Sequence, residues 1–399
     1  MNPGLTHLQP YPFERLAALR RGLREPQDLH PINLSIGEPQ HATPAFIHEA
    51  LIANLAGTGK YPATRGNPEI RDTIASWLGR RFRLGATAID PERMVLPVTG
   101  TREALFAVTQ CFVDGRSSRN RVLMPNPFYQ IYEGAALLAG AAPVFMACPA
   151  ARGFLPAIET LSPAVLDQCA LMYLCTPSNP AGTVMSVEAL QSLIELADRH
   201  DFILVSDECY SELYADEASP PPGLLEAAWR MGRTDFRRCL VMHSLSKRSN
   251  APGLRSGFVA GDASLTEQFL RYRTYHGCAM PLHVQAASIA AWSDESHVIE
   301  NRARYRAKFA AVGTILQDVL PLQLPAGGFY LWPQVPGDEC ELARRLIEKA
   351  NVTTLPGSFL AREVNGVNPG AGRLRIALVA EEADCVTAAH RIREVLLQS

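Results

Sequence analysis

The stretch His243-Ser-Leu-Ser-Lys247-Arg-Ser-Asn-Ala-Pro-Gly-Leu-Arg255-Ser-Gly257 gathers a lysine, an arginine and the two hydroxyls of Ser244 and Ser246 between apolar runs. The run before it, Cys239 to Met242, and the run after it, Phe258 to Ala260, read as buried strands. A lysine so placed is drawn out of water. Desolvation disfavours the ammonium and lowers its pKa, which makes the amine a nucleophile toward a carbonyl. Ser244, Ser246 and Arg255 carry the donors of a phosphate cup, the guanidinium as a planar fork and each hydroxyl as a single donor. A nucleophilic amine beside such a cup calls for a phosphorylated aldehyde, and pyridoxal 5'-phosphate is that kind of ligand.

Other segments offer the remaining contacts. Ile203 to Asp207 reads as a buried strand ending in an acid, with Tyr210 three residues on. A carboxylate at a strand's carboxyl end sits where α/β sheets bind ligands, and it can hold a pyridinium nitrogen protonated. Tyr210 can donate to a phenolate oxygen. So can Asn179, held in the rigid turn Thr176-Pro-Ser-Asn179-Pro-Ala-Gly182. Gly100, Thr101 and Arg102 open a helix after a strand, where backbone amides bind phosphate. Tyr129 can stack on a ring. Gly37 lets backbone approach a ligand closely. Arg373 and Arg375 share one strand face by period two, and one of them is a candidate carboxylate clamp. Taken singly, Asp207 also suits a helix cap, Asn179 a structural turn and Tyr129 a half-buried core position.

These residues need a scaffold. The 399 residues are enough for two domains, and 47% hydrophobic with 20% charged residues is ordinary for a globular chain. A net charge of -2 argues against a nucleic-acid-binding protein. The nine cysteines show no Cys-x-x-Cys and no zinc spacing, so they read as reduced core thiols of a cytoplasmic protein without a metal. The N-terminus has no secretory pattern, and no apolar stretch is long enough to span a membrane. Seven continuously apolar runs (94–97, 121–124, 143–146, 170–175, 202–206, 240–243 and 257–260) read as strands buried on both faces. Amphipathic stretches at 101–112, 128–138 and 187–199 alternate with them. The expectation is an α/β domain over 46–283 with a mostly parallel seven-stranded sheet. Residues 1–45 and 284–399 are expected to form a smaller α+β domain. Within it come a short strand and turn over Leu34 to Pro39 and a long helical tract from His283 past Lys308. A β-hairpin at Gly327-Gly328, a helix over 341–350, a strand near Val352 and a final strand–helix unit from Arg373 follow.

In this order the segments resemble the fold-type I, class I/II aminotransferases, over nearly the whole chain. The markers are Gly37-Glu-Pro, Tyr61 with Arg65-Gly66, Asn179-Pro-x-Gly182, Asp207-x-x-Tyr210, Ser244-x-Ser246-Lys247, Arg255-x-Gly257 and Arg375. The resemblance implies a pyridoxal-phosphate enzyme in which Lys247 carries the cofactor and then shuttles the substrate Cα proton. It implies that Asp207 pairs with the ring nitrogen while Tyr210 and Asn179 contact the phenolate oxygen. Gly100, Thr101, Ser244, Ser246 and Arg255 would hold the phosphate, Tyr129 would stack on the ring, and Arg375, with Asn179 and Gly37, would bind the substrate carboxylate. Tyr61 looks like the residue that reaches the neighbouring subunit's phosphate, which implies a homodimer with composite sites.

Details resemble the N-succinyldiaminopimelate aminotransferases of bacterial lysine biosynthesis: Tyr11 to Leu16, Gly100 to Leu105, and Tyr272 to Pro281. That resemblance implies transfer from N-succinyl-LL-2,6-diaminopimelate to 2-oxoglutarate, with Arg15, Arg65 and Arg102 as candidates for the distal carboxylates. An aminotransferase of alanine, aspartate or kynurenine type, or a carbon–sulfur lyase on the same fold, is the alternative. A regulator carrying an aminotransferase-like domain would need a basic DNA-binding segment, which this chain lacks.

Overall fold

The computed structural model describes residues 1–398. Its strands are β1 (Ile32–Asn33), β2 (Val95–Val98), β3 (Arg121–Asn126), β4 (Ala142–Ala147), β5 (Cys169–Cys175), β6 (Ile203–Asp207), β7 (Cys239–Ser244), β8 (Gly257–Gly261), β9 (Tyr330–Leu331), β10 (Val352–Thr353), β11 (Leu355–Pro356) and β12 (Leu374–Ala377). Seven of them form one sheet in the order β2-β8-β7-β6-β5-β3-β4. Only β8 runs antiparallel to its neighbours. The inner strands are buried along nearly their whole length, as both-face packing demands. The edge strand β4 is half exposed instead.

Helices cover both faces. Thr101–Phe112 lays Ala104, Leu105, Ala107 and Val108 on one of them. Val187–His200 lays Leu190, Leu193, Ile194 and Ala197 on the other, a helical spacing of three and four. Ser186 caps that helix by accepting from the Ala189 N–H at 3.2 Å. No helix among the described residues is long and apolar enough to cross a membrane.

A separate apolar cluster draws on Ile32 and Leu34 at one end of the chain and on residues from Val312 to Val395 at the other. There β1 pairs in parallel with β10, and β11, β12 and β9 form an antiparallel sheet. The short strand expected at Leu34 lies two residues earlier, at Ile32–Asn33, because Asn351 and Thr353 carbonyls bond the N–H groups of Ile32 and Leu34.

Two expectations need correction. The long helical tract is two helices, Leu282–Ser293 and Ser296–Leu316. Buried Arg248 donates to the carbonyls of Ala291 and Asp294 at 2.6 and 3.0 Å, and the Asp294 carboxylate accepts the His297 N–H at 3.1 Å, so the chain is capped and restarted there. Gly327-Gly328 is not a hairpin turn. Its N–H groups bond the Gly182 and Leu213 carbonyls, and β9 pairs with the distant β12. Tertiary partners outcompete the local turn that the glycine pair suggests.

One buried ion network ties the helix Pro68–Arg81 to the segment after β6 and to Ser296–Leu316. Glu212, 3% exposed, accepts from Arg81 Nε at 2.6 Å and lies 3.6 Å from Arg302, which also holds Glu217. Breaking a buried pair strands an uncompensated charge at a cost of about 3–5 kcal/mol. Glu212→Gln is expected to lose roughly that much in urea unfolding; a loss below about 1 kcal/mol would show the pair to be effectively solvated.

Candidate active site

The sheet's topology sends five chain segments to one edge. Asp207 ends β6 and pairs in register with Cys175, the end of β5. Ser244 ends β7 opposite Gly257, the start of antiparallel β8, and Val98 of β2 faces the same Gly257. The residues after Val98 (Gly100, Thr101), after Ser244 (Ser246, Lys247) and before Gly257 (Arg255) therefore converge. A cavity of about 430 Å³ opens there. It is lined by Thr101, Arg102, Asp207, Tyr210, Ser244, Ser246, Lys247, Arg255 and Arg375, with Gly37, Tyr129 and Asn179.

Lys247 sits in the four-residue helix Leu245–Arg248, whose Ser244 cap accepts the Ser246 N–H at 3.0 Å. Its neighbour Arg248, 1% exposed, packs on the paired Trp292 and Trp77 rings at 4.8 and 5.7 Å and anchors the turn. The Lys247 amine donates to the Gly37 carbonyl. Burial pushes the amine down to about 8, against opposing pulls from Cys209 and Glu38. At neutral pH an appreciable fraction is thus the free base, as the sequence pattern suggests.

Asp207 is 5% exposed. Its carboxylate accepts the Tyr132 hydroxyl at 2.7 Å and the Cys209 N–H at 3.3 Å. Burial nevertheless raises its pKa, and the Tyr132 hydrogen bond only moderates the rise. Arg375, 4% exposed, donates to Asn179 Oδ1 at 3.0 Å and to the Ser35 carbonyl at 2.7 Å, while its Nε finds no acceptor. No acid pairs with it among the described residues. A buried guanidinium without a counter-ion is costly unless a ligand brings one. Arg373, the other half of the period-two pair, precedes β12 and turns away: it lies 4.7 Å over the Phe154 ring and donates to the Trp332 carbonyl.

Gly100 caps the helix Thr101–Phe112 with φ +99, where an L side chain is strained, and Arg255's guanidinium stands 2.2 Å from where a Cβ would lie. Arg255 is half exposed and paired with Glu103 at 2.8 Å, an ion pair of small worth that a phosphate can displace. Ser244 Oγ donates to Ser246 Oγ at 2.9 Å, and Thr101 Oγ1 meets Cys209 Sγ at 3.1 Å.

Three residues singled out in the sequence stand apart. Tyr61 is fully exposed and lines no part of the cavity. Arg15 lies over the Phe359 ring at 4.1 Å and donates to the Ser358 carbonyl. Arg65 donates to the Glu92 carbonyl and borders a different, small cavity. Sequence reasoning missed Tyr132, Cys175, Cys209 and Tyr330. The two cysteines were read as core thiols, whereas both line the cavity. Tyr132 lies in the helix Ile131–Leu138, and nothing in its sequence neighbourhood marks it as the partner of Asp207.

The donor set fits pyridoxal phosphate: an acid for the ring nitrogen, a desolvated amine, hydroxyls and a guanidinium at a helix start, and an orphaned Arg375 Nε–H beyond them. The sequence family described as aminotransferase class I and II matches residues 30–392. A relative from Desulforudis audaxviator, an LL-diaminopimelate aminotransferase, is 31% identical over 98% of this chain and 97% of its own. The crystal structure of an aminotransferase from Neisseria meningitidis is 49% identical, covering 98% of this chain and 99% of that one, at a TM-score of 0.94. A probable N-succinyldiaminopimelate aminotransferase from Thermus thermophilus is 25% identical over 96% and 100% of the chains, at 0.85.

An amine that titrates near 8 has a kinetic signature. Capture of pyridoxal, the unphosphorylated aldehyde, by cofactor-free protein is expected to rise with pH and level off above about 8, with Lys247→Ala as the blank. A rise continuing toward about 10.4, the value of a solvated lysine, would show that the amine is not desolvated.

Proposed function

The chain belongs to the class I and II aminotransferases, and we propose that within that family it moves the amino group of N-succinyl-LL-2,6-diaminopimelate to 2-oxoglutarate, a step of diaminopimelate and lysine biosynthesis. The family's cofactor is pyridoxal phosphate; when bound, it supplies the electron sink that lets an amino acid's Cα–H bond break.

The chain's own groups do the rest. Lys247 would hold the cofactor by its amine, and the same Nζ is the group that would take the substrate Cα proton. Asp207, whose charge is buried against Tyr132, keeps a ring nitrogen protonated. Tyr210 and the amide N–H of Asn179 donate to the phenolic oxygen. Gly100, Thr101, Ser244, Ser246 and Arg255 hold the phosphate, and Tyr129 packs against the ring. Arg375 binds the substrate's α-carboxylate through its uncommitted Nε–H, with Gly37 and Asn179 beside it. The observation that carries an amino-acid substrate is this buried arginine without an acid partner.

The reach of the substrate turns on Arg102. Of Arg15, Arg65 and Arg102, it alone lines the cavity, and no side-chain acceptor holds it among the described residues. With Tyr11 and Gln130 it also borders an adjoining cleft of about 550 Å³, so a long anionic donor has room beyond the reacting carbon. The similarity to LL-diaminopimelate aminotransferases favours a second reading, in which the donor's distal amine is unacylated. An amino-donor screen, following loss of the enzyme's visible cofactor band, separates the two. Arg102→Ala is expected to raise KM for the succinylated donor about ten- to hundredfold, one charged contact, and to leave glutamate within about twofold. Equal losses for both donors would remove Arg102 from the distal site and leave the succinyl assignment without its anchor.

We read the enzyme as a cytoplasmic homodimer. Its nine cysteines are free thiols. Tyr61, Ile36, Ile52, Leu55 and Tyr275 are large apolar side chains left in solvent by a single chain. If Tyr61 reaches the partner's site, hybrids of Tyr61→Phe and Lys247→Ala chains contain one site free of both substitutions. Activity above either parent is expected from the mixture; confirmed hybrids with no gain would show that each site is built from one chain.

A further inference from the structure

Tyr330 begins β9, is 2% exposed, and touches three parts of the site at once. Its hydroxyl lies 3.0 Å from the hydroxyl of Tyr210. Its ring lies under the Arg375 guanidinium at 4.5 Å. Its hydroxyl also fills the space beside Gly37: a Cβ there would stand 1.9 Å from Tyr330 Oη. Gly37 has no positive φ, so this glycine is required by space and not by backbone conformation. The carbonyl of the same Gly37 accepts from Lys247.

The phenol is held firmly. Tyr330 pairs with Ala377 of β12. The Gly328 N–H bonds the Leu213 carbonyl at 2.7 Å, and the Leu213 N–H bonds the Tyr210 carbonyl at 2.9 Å. Phe329 lies edge-on to both tyrosine rings, at 5.4 Å from Tyr210 and 4.7 Å from Tyr330. The two hydroxyls therefore meet because two backbone segments are locked together, not because two side chains happened to rotate that way.

Two hydroxyls that share one hydrogen bond leave one hydrogen over. Tyr210 has a single hydroxyl hydrogen, so when that hydrogen goes to the cofactor's phenolic oxygen the hydrogen between the two hydroxyls must come from Tyr330. We propose that Tyr330 is a positioning residue: it donates to Tyr210 Oη and so commits the Tyr210 hydrogen to the cofactor's phenolic oxygen. This rests on the reading that Tyr210 donates to that oxygen. A hydroxyl that accepts a hydrogen bond is also a stronger donor, so the relay strengthens the contact as well as orienting it. The charged and titratable groups facing the pair are Arg375 from β12, Cys175 from the end of β5 and Tyr11 from the N-terminal segment; Lys247 and Asp207 line the same cavity.

The test is a pH titration of the visible absorption band of the cofactor-loaded enzyme, with wild type, Tyr210→Phe, Tyr330→Phe and the double variant. Donors to the phenolic oxygen stabilise its ionised form, so losing one raises the midpoint. Tyr210→Phe is expected to raise it. Tyr330→Phe is expected to raise it less, by about half to one pH unit, the worth of one neutral hydrogen bond. The double variant should match Tyr210→Phe, because Tyr330 acts only through Tyr210. KM for glutamate should stay within about twofold in Tyr330→Phe, which keeps the ring under Arg375, and should rise in Tyr330→Leu. Gly37→Ala, which pushes the Tyr330 hydroxyl aside, should shift the midpoint in the same direction. A moved Tyr210→Phe midpoint with an unmoved Tyr330→Phe midpoint overturns the relay alone. An unmoved Tyr210→Phe midpoint overturns the role of Tyr210 and the relay with it. A Tyr330→Phe shift that persists in full on top of Tyr210→Phe also overturns the relay, since Tyr330 would then act by another route.

Discussion

Three charges, those of Asp207, Lys247 and Arg375, face one cavity, and among the described residues none has an opposite charge within ion-pair distance. In a low-dielectric site each is costly to leave alone. The protein moderates the cost with neutral donors and acceptors: Tyr132 on Asp207, the Gly37 carbonyl on Lys247, and Asn179 and Ser35 on Arg375. It stops short of neutralising them. What remains is an electrostatic demand for a ligand that brings a cationic ring nitrogen, a carbonyl and a carboxylate. The chemistry of the family follows from that unmet demand.

Holding such charges apart requires a rigid frame, which the sheet and its edge supply. The antiparallel strand β8 matters most here. Because it enters where β2 and β7 end, the loop before it delivers Arg255 to the same edge as Gly100 and Ser244. Arg248 then fixes the lysine from behind, packed on two paired tryptophans and bonded to the carbonyls that end the helix Leu282–Ser293. On the opposite wall, the aromatic cluster of Tyr210, Tyr305, Phe329 and Tyr330 joins the segment after β6 to the sheet that carries Arg375. Substrate-binding and cofactor-binding groups are thereby registered to one another through packed rings, which deform little.

The distal end of the cavity follows a different rule. Arg15 and Arg65 each contact a backbone carbonyl, Arg15 a ring face as well, and neither lines the cavity, so their charge serves the scaffold. Arg102, exposed in the first turn of a helix, borders the cleft with no side-chain acceptor among the described residues, and such a charge at a cavity mouth discriminates among ligands.

How much of this was written locally can be argued residue by residue. All seven strands of the large sheet were legible within a few residues, because strands packed on both faces read as short, largely apolar runs alternating with amphipathic helical stretches. Lys247 was legible from the hydroxyls and arginine around it between two apolar runs, Asp207 from its place at a strand's carboxyl end, and Arg375 from the family resemblance. Asp207 and Arg375 reach 5% and 4% exposure with no acid or base beside them. The break at Asp294 was not legible, since it depends on Arg248 arriving from far along the chain to cap the preceding helix. Nor was the fate of Gly327-Gly328, whose N–H groups chose the Gly182 and Leu213 carbonyls over a local turn. Arg373 and Arg375 looked equivalent by period two until the start of β12 fell between them. Tyr132 and Tyr330 were silent for the same reason: a tyrosine's sequence neighbours say nothing about which hydroxyl or carboxylate it will meet. The sequence determined which groups must be buried, through apolar patterning and residue chemistry, both local properties. Which of them pair, and which are left for a ligand, was decided only by tertiary structure, because hydrogen bonds and ion pairs join residues that the chain keeps far apart.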